Sequence, residues 1–179
     1  MRKKKILRNI LVILAILVIG LGIAGYFLLG FSPAPETSAY ELDLAKVRQL
    51  AQEGGSALPV RLNELTIAEG GMPKTFMLAG SSLQEQPIII PTFQVVYPDS
   101  TIIIDTAYSQ SEHDTTFAGK PFYTENFDAL QTAMLASRYI LITHEHFDHN
   151  AGISRSPYLD QIVDKVILTQ EQIDNALPI

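Results

Sequence analysis

The chain has 179 residues, a formal net charge of −6, 47% hydrophobic residues and no cysteine. Disulfides and thiolate metal ligands are therefore both excluded. Arg2, Lys3, Lys4, Lys5 and Arg8 stand together at the start and leave the rest with 8 basic against 19 acidic side chains, a net of −11, so the body has no basic surface with which to attract nucleic acid.

From residue 10 to 29 every side chain is apolar or glycine except the amphipathic Tyr26. About twenty such residues make roughly 30 Å of helix, enough to cross a bilayer core. The basic residues before it predict a cytoplasmic flank at 1–9, a single-pass anchor at 10–31 in the inner (plasma) membrane, and a body on the extracytoplasmic side. Tyr26, Phe27 and Phe31 suit the outer interface. A cleavable signal peptide, with Thr37 and Ala39 at the cleavage site, is the competing reading, but the apolar run is longer than a usual signal core.

Residues 32–38, with Pro33 and Pro35, read as a linker, and the remaining body, 39–179, as one domain. Ser38 with Glu41 forms a potential capping box for a helix over 39–52, with Leu42, Val47 and Leu50 on its buried side and Gly54-Gly55 at its end. Weak strands are expected at 60–67 and 75–78, with Gly70-Gly71 as a turn. Residues 87–91 are apolar but bounded by Pro87 and Pro91, which favours a sheet edge. Residues 93–97 and 101–105 are rich in β-branched and aromatic side chains, and Pro98-Asp99-Ser100 between them predicts a hairpin.

The polar stretch 108–120 reads as a loop, with His113 as a solvated side chain. Phe127, Leu130, Ala133 and Met134 recur at helical spacing within 126–136. Residues 139–143 form a short apolar strand, a helix begins near Ala151, 163–168 is a further strand, and 170–176 a last helical turn or two. Strands first, then alternating helix and strand, predict a mixed α/β fold.

Three of the four histidines fall in His144-Glu145-His146-Phe147-Asp148-His149, directly after the apolar strand at 139–143. Imidazole and carboxylate are the usual ligands of zinc and related ions. Residues two apart at a strand end point the same way, so His144 and His146 can reach one metal, while Asp148 and His149 follow the turn and can face a second. Two ions about 3.5–4 Å apart can share and activate a water and polarise a substrate oxygen.

This segment resembles the His-x-His-x-Asp-His signature of the metallo-β-lactamase superfamily, and Asn150-Ala151-Gly152 after it is similar to family members. The resemblance is specific at the motif and extends loosely over 93–168. It implies the first half of an αββα sandwich behind the transmembrane helix. It also implies a metal-dependent hydrolase in which a metal-bound hydroxide attacks an ester, lactone, thioester, amide or phosphoester. His144 and His146 would hold the first ion and Asp148 and His149 the second, with Asp148 also orienting the hydroxide. Zinc is the default, two per complete site, and iron or manganese can replace it. Asp105 matches the family's acidic residue at a strand end, which braces the metal loop. The family's later histidines have no counterpart here, so the domain reads as truncated, its partner a missing C-terminal half. The rival expectation is a non-catalytic, membrane-anchored module with an incomplete metal site.

Overall fold

The structure is a computed structural model describing residues 2–26, 42–53, 57–78 and 81–174. The linker at 32–38, the Ser38–Glu41 box, Phe27, Phe31, the Thr37–Ala39 cleavage site, Gly54-Gly55 and residues 175–179 lie outside these. The chain divides into two compact units, Met1–Leu42 with Met72–Gln86, and Asp43–Gly71 with Pro87–Ile179.

Helix α1 runs Arg2–Gly25. Within it Lys4–Gly25 has a mean hydropathy of 2.6 and no buried side chain, and it is the one span among the described residues long and apolar enough to cross a membrane. The chain otherwise forms a mixed α/β fold, as the order of its elements predicted. Five strands, β1 (Arg61–Pro73), β2 (Glu85–Val96), β3 (Thr101–Ile104), β4 (Tyr139–Leu141) and β5 (Val166–Ile167), make one sheet in that order. The predicted hairpin is β2–β3, antiparallel with Phe93 opposite Ile104 and Val96 opposite Thr101. Its turn is closed by Tyr97 N donating to Ser100 O at 2.8 Å. β4 then lies parallel to β3, and β5 parallel to β4.

The helices are α2 (Leu44–Glu53), α3 (Lys74–Met77), α4 (Gln110–Thr116), α5 (Thr124–Ala136), α6 (Phe147–Ser154), α7 (Leu159–Ile162) and α8 (Gln170–Asp174). Leu130 and Met134 of α5 are fully buried and join Ile67, Ile103 and Ile140 in one core. Each such side chain contributes about 1.5–3 kcal/mol by leaving water.

Several expectations are corrected. Residues 75–78 are not a strand: 74–77 form the helical turn α3 and only Leu78 is extended. Gly70-Gly71 is not a turn but lies within β1, where a Cβ on Gly70 would stand 3.0 Å from the Phe117 ring. The stretch 108–120 contains α4, because Ser109 and Glu112 form a capping box, with Ser109 N donating to Glu112 Oε2 at 2.8 Å. His113 is fully buried. Leu42, Val47 and Leu50 are exposed, since periodicity marks an apolar stripe but supplies no element to cover it. The strand expected at 163–168 begins as a 3-10 turn over Val163–Lys165 and is extended only at Val166–Ile167. The edge expected at 87–91 is corrected: Pro87 and Pro91 fall inside β2, which lies between β1 and β3 in the sheet, and only the β3 side is open at the prolines, because β3 pairs with 93–96 alone.

Candidate metal centre

Strand β4 ends at Leu141, and the chain turns through 142–146 before α6 begins at Phe147. His144 and His146 therefore lie in the turn, while Asp148 and His149 occupy the first turn of α6. The imidazoles are brought together. The His144 ring centroid is 3.9 Å from that of His149 and 4.6 Å from that of His146. Asp148 Oδ2 stands 3.7 Å from His149 Nε2.

Beneath this cluster is Asp105, one residue beyond β3 and only 5% exposed. Its Oδ1 accepts the Thr143 backbone N–H at 2.8 Å, and its Oδ2 accepts the Thr143 hydroxyl at 2.8 Å and lies 2.8 Å from His149 Nδ1. One carboxylate thus ties Thr143, just before the histidine segment, to His149 at its end. Burial pushes Asp105 upward, but its hydrogen bonds from His149 and Thr143 and the charge of His149 outweigh this and hold the carboxyl below its ordinary value. Burial pushes His149 down, yet the Asp105 hydrogen bond and charge, with a contribution from Asp148, raise it. With Nδ1 committed to Asp105, Nε2 is the nitrogen left to bind. A carboxylate on the second nitrogen is the usual partner of a metal-ligating histidine.

Asp105 and Ala107 both have positive φ, 61° and 53°. Aspartate tolerates this region, whereas alanine is strained there. The bent segment is held against α6 by two backbone hydrogen bonds and one from a side chain. Thr106 N donates to His149 O at 2.7 Å, Gly152 N donates to Ala107 O at 2.8 Å, and the Thr106 hydroxyl lies 3.1 Å from the same His149 carbonyl. A Cβ on Gly152 would sit 2.0 Å from the Thr106 carbonyl oxygen, so only glycine permits this approach.

On the other flank, the Phe147 ring stacks on Tyr108 with centroids 5.3 Å apart. Tyr108 is fully buried, and its hydroxyl lies 3.2 Å from His113 Nδ1, while His113 Nε2 lies 3.0 Å from the Lys120 carbonyl. The carbonyl can only accept, so His113 Nε2 is the donor to Lys120, and in the neutral ring Nδ1 is the acceptor for the Tyr108 hydroxyl. Burial, with the nearby charge of Asp148, pushes the Tyr108 hydroxyl well above the ordinary phenol range.

Three imidazoles and a carboxylate are a donor set that fits a divalent ion. Among the described residues no group of three or more such side chains is gathered so that it could hold a metal ion. Rings as close as His144 and His149 touch one another and are not spread about a central point. Glu145 sits half-buried, its carbonyl accepting from Asn150 Nδ2 at 2.8 Å. Of the residues that shape the centre, Asp105 was legible as a strand-end acid. Thr106, Tyr108 and the clamp at Gly152 were not, because their roles depend on contacts across more than forty positions or on burial.

No family model and no curated protein matches the chain. Among solved structures, it is similar to a quorum-quenching N-acyl homoserine lactone lactonase at a TM-score of 0.45 and 14% identity, covering 56% of this chain and 44% of that one. It is similar to an N-acyl homoserine lactone hydrolase with the product N-hexanoyl-L-homoserine bound at its catalytic metal centre, at a TM-score of 0.44 and 14% identity over 55% and 46%. A probable metal-dependent hydrolase from Staphylococcus aureus gives a TM-score of 0.40 and 15% identity over 63% and 60%. The chain thus spans less than two thirds of the length of each. Likenesses of this size do not assign a family or an activity.

Proposed function

We propose that the chain carries the metal-holding part of a metal-dependent hydrolase of the metallo-β-lactamase type, acting on a small-molecule ester, lactone, thioester, amide or phosphoester. The single observation that supports this best is Asp105, which binds Thr143 and His149 at once and so gathers the histidine segment around one buried carboxylate. His144, His146, Asp148 and His149 are the residues that hold the ions, zinc by default. A bound divalent ion supplies Lewis acidity and an acidified water. The chain's own residues do the rest. Asp105 fixes the His149 ring and leaves Nε2 outward, and Asp148 accepts a proton or hydrogen bond at its carboxylate beside that ring. α1 anchors the body in the inner membrane, with the body outside the cytoplasm.

The decisive experiment is metal analysis of the purified full chain after dialysis against zinc. The expected result is tightly held zinc that His149→Ala and Asp148→Ala each lose, together with esterase or lactonase turnover. Less than one ion per chain, with no difference between wild type and variants, would overturn the reading. The second reading, a non-catalytic membrane-anchored module, is favoured by the lack of a gathered three-donor group among the described residues. It predicts that second result.

A further inference from the structure

The two ends of the histidine segment are held differently. At its close, His149 is tied to Asp105 and Thr106. At the start of α6 the N-cap residue, His146, makes no side-chain capping hydrogen bond among the described residues, and the bond from Asn150 Nδ2 reaches the Glu145 carbonyl, a residue earlier. Phe147 stands between His146 and Asp148, and its ring lies on Tyr108, with centroids 5.3 Å apart and planes 27° apart. The seat of this ring therefore bears on where the two flanking side chains are presented.

Tyr108 and His113 are both fully buried. Their ring centroids lie 5.9 Å apart at an interplanar angle of 19°, and His113 packs in turn against Phe122 at 5.5 Å and Phe117 at 6.0 Å. Filling this space needs no polar atom, since phenylalanine at 108 would occupy nearly the same volume. The Tyr108 hydroxyl is nevertheless met by His113 Nδ1 at 3.2 Å, and His113 Nε2 by the Lys120 carbonyl at 3.0 Å. Each of these buried groups is costly without its partner, so the pair has one good arrangement where apolar contact alone allows several. The two bonds thus fix the tilt of the Tyr108 ring, and that tilt sets the seat offered to Phe147.

We propose that Tyr108, oriented by His113, is a positioning residue that seats Phe147 and so fixes His146 and Asp148 at the start of α6, as Asp105 fixes His149 a turn later. Its consequence for metal binding rests on the ligand roles proposed above for His146 and Asp148. The two supports then act on different donors: the carboxylate on one imidazole directly, the phenol on the other end of the segment through a stacked ring.

The chain has four histidines, so an untagged full-length chain with isotope-labelled imidazoles gives four ring environments to follow by NMR. In detergent micelles without metal, Tyr108→Phe, which removes only the hydroxyl, is expected to shift the signals of His113 and His146 together. Phe147→Leu is expected to shift His146 likewise, and in its background Tyr108→Phe should shift His113 alone. Cobalt titration of the same variants should show Tyr108→Phe weakening affinity about 2- to 30-fold, an effect that disappears once residue 147 is leucine. A Tyr108→Phe chain that melts earlier but shifts only His113, with cobalt affinity unchanged, shows that the pair serves packing alone and overturns the role given to Tyr108. A loss of affinity that persists undiminished beside Phe147→Leu removes the route through Phe147. Should Tyr108→Phe not fold, Phe147→Leu decides by itself, and a wild-type His146 signal with wild-type cobalt affinity in that variant sinks the proposal. A wild type that takes up no cobalt overturns the hydrolase reading, while the metal-free ring signals still decide the role of Tyr108.

Discussion

The strand-end segment at 105–107 and the histidine segment at 144–149 lie side by side with opposite properties. The first is buried, conformationally strained and carries no group proposed to bind a ligand; the second is half-exposed and carries all of them. Donor groups near water do not hold themselves in place. Their arrangement here comes from a neighbour that surrenders backbone comfort and a desolvated carboxylate to grip them.

If that division is right, the largest effects come from the buried side. Gly152→Ala should destabilise the body by about 3 kcal/mol or more, because a methyl 2.0 Å from a backbone oxygen forces α6 away from Thr106. Chemical denaturation measures it, and a near-neutral result would break the clamp. Asp105→Asn should cost about 1–3 kcal/mol by leaving buried donors poorly paired, and should weaken metal affinity about 10–100-fold. Calorimetric metal titration checks the second figure.

Ala107→Gly should stabilise the metal-free chain by about 1 kcal/mol, since glycine accepts φ of 53° without the steric penalty. A thermal melt that fell would show that the angle is not strained in solution.

The pH dependence sharpens the same contrast. The lowered carboxyls of Asp105 and Glu112 contribute stability that is present above their unfolded values and lost as pH falls through their folded ones. The raised His149 contributes stability that is complete below 6.5 and lost as pH rises through its folded value. The metal-free chain should therefore be most stable in mildly acidic solution. Asp105→Asn should flatten the decline on the alkaline side, and a wild-type stability that instead climbed steadily from pH 6 to 8 would count against the Asp105–His149 pair. The smallest effect is expected for Arg155→Ala: its Nε lies 2.9 Å from Glu112 Oε1 on the surface, and such a pair is worth about 0–1 kcal/mol.

Much of this was legible without coordinates. The β2–β3 hairpin follows from two β-branched runs around Pro98-Asp99-Ser100, and α5 from the spacing of Phe127, Leu130, Ala133 and Met134. α4 was hidden because Gln110, Ser111, Glu112 and Asp114 look like loop composition, while its start depends on one reciprocal bond between Ser109 and Glu112. His113 looked solvated for the same reason. Its burial against Tyr108 and Phe122 is a packing outcome, with the His113 and Phe122 ring centroids 5.5 Å apart.

By itself the sequence determined the apolar helix, the α/β alternation and the run of histidine and aspartate side chains behind an apolar strand, because length, period and residue type are local quantities. Only the tertiary structure decided that Asp105 reaches Thr143 and His149, that Gly152 must lack a side chain, and that Val47 and Leu50 stay exposed while His113 does not. Those outcomes depend on which surfaces meet, and contacts between residues about forty positions apart leave no trace in the pattern of either segment alone.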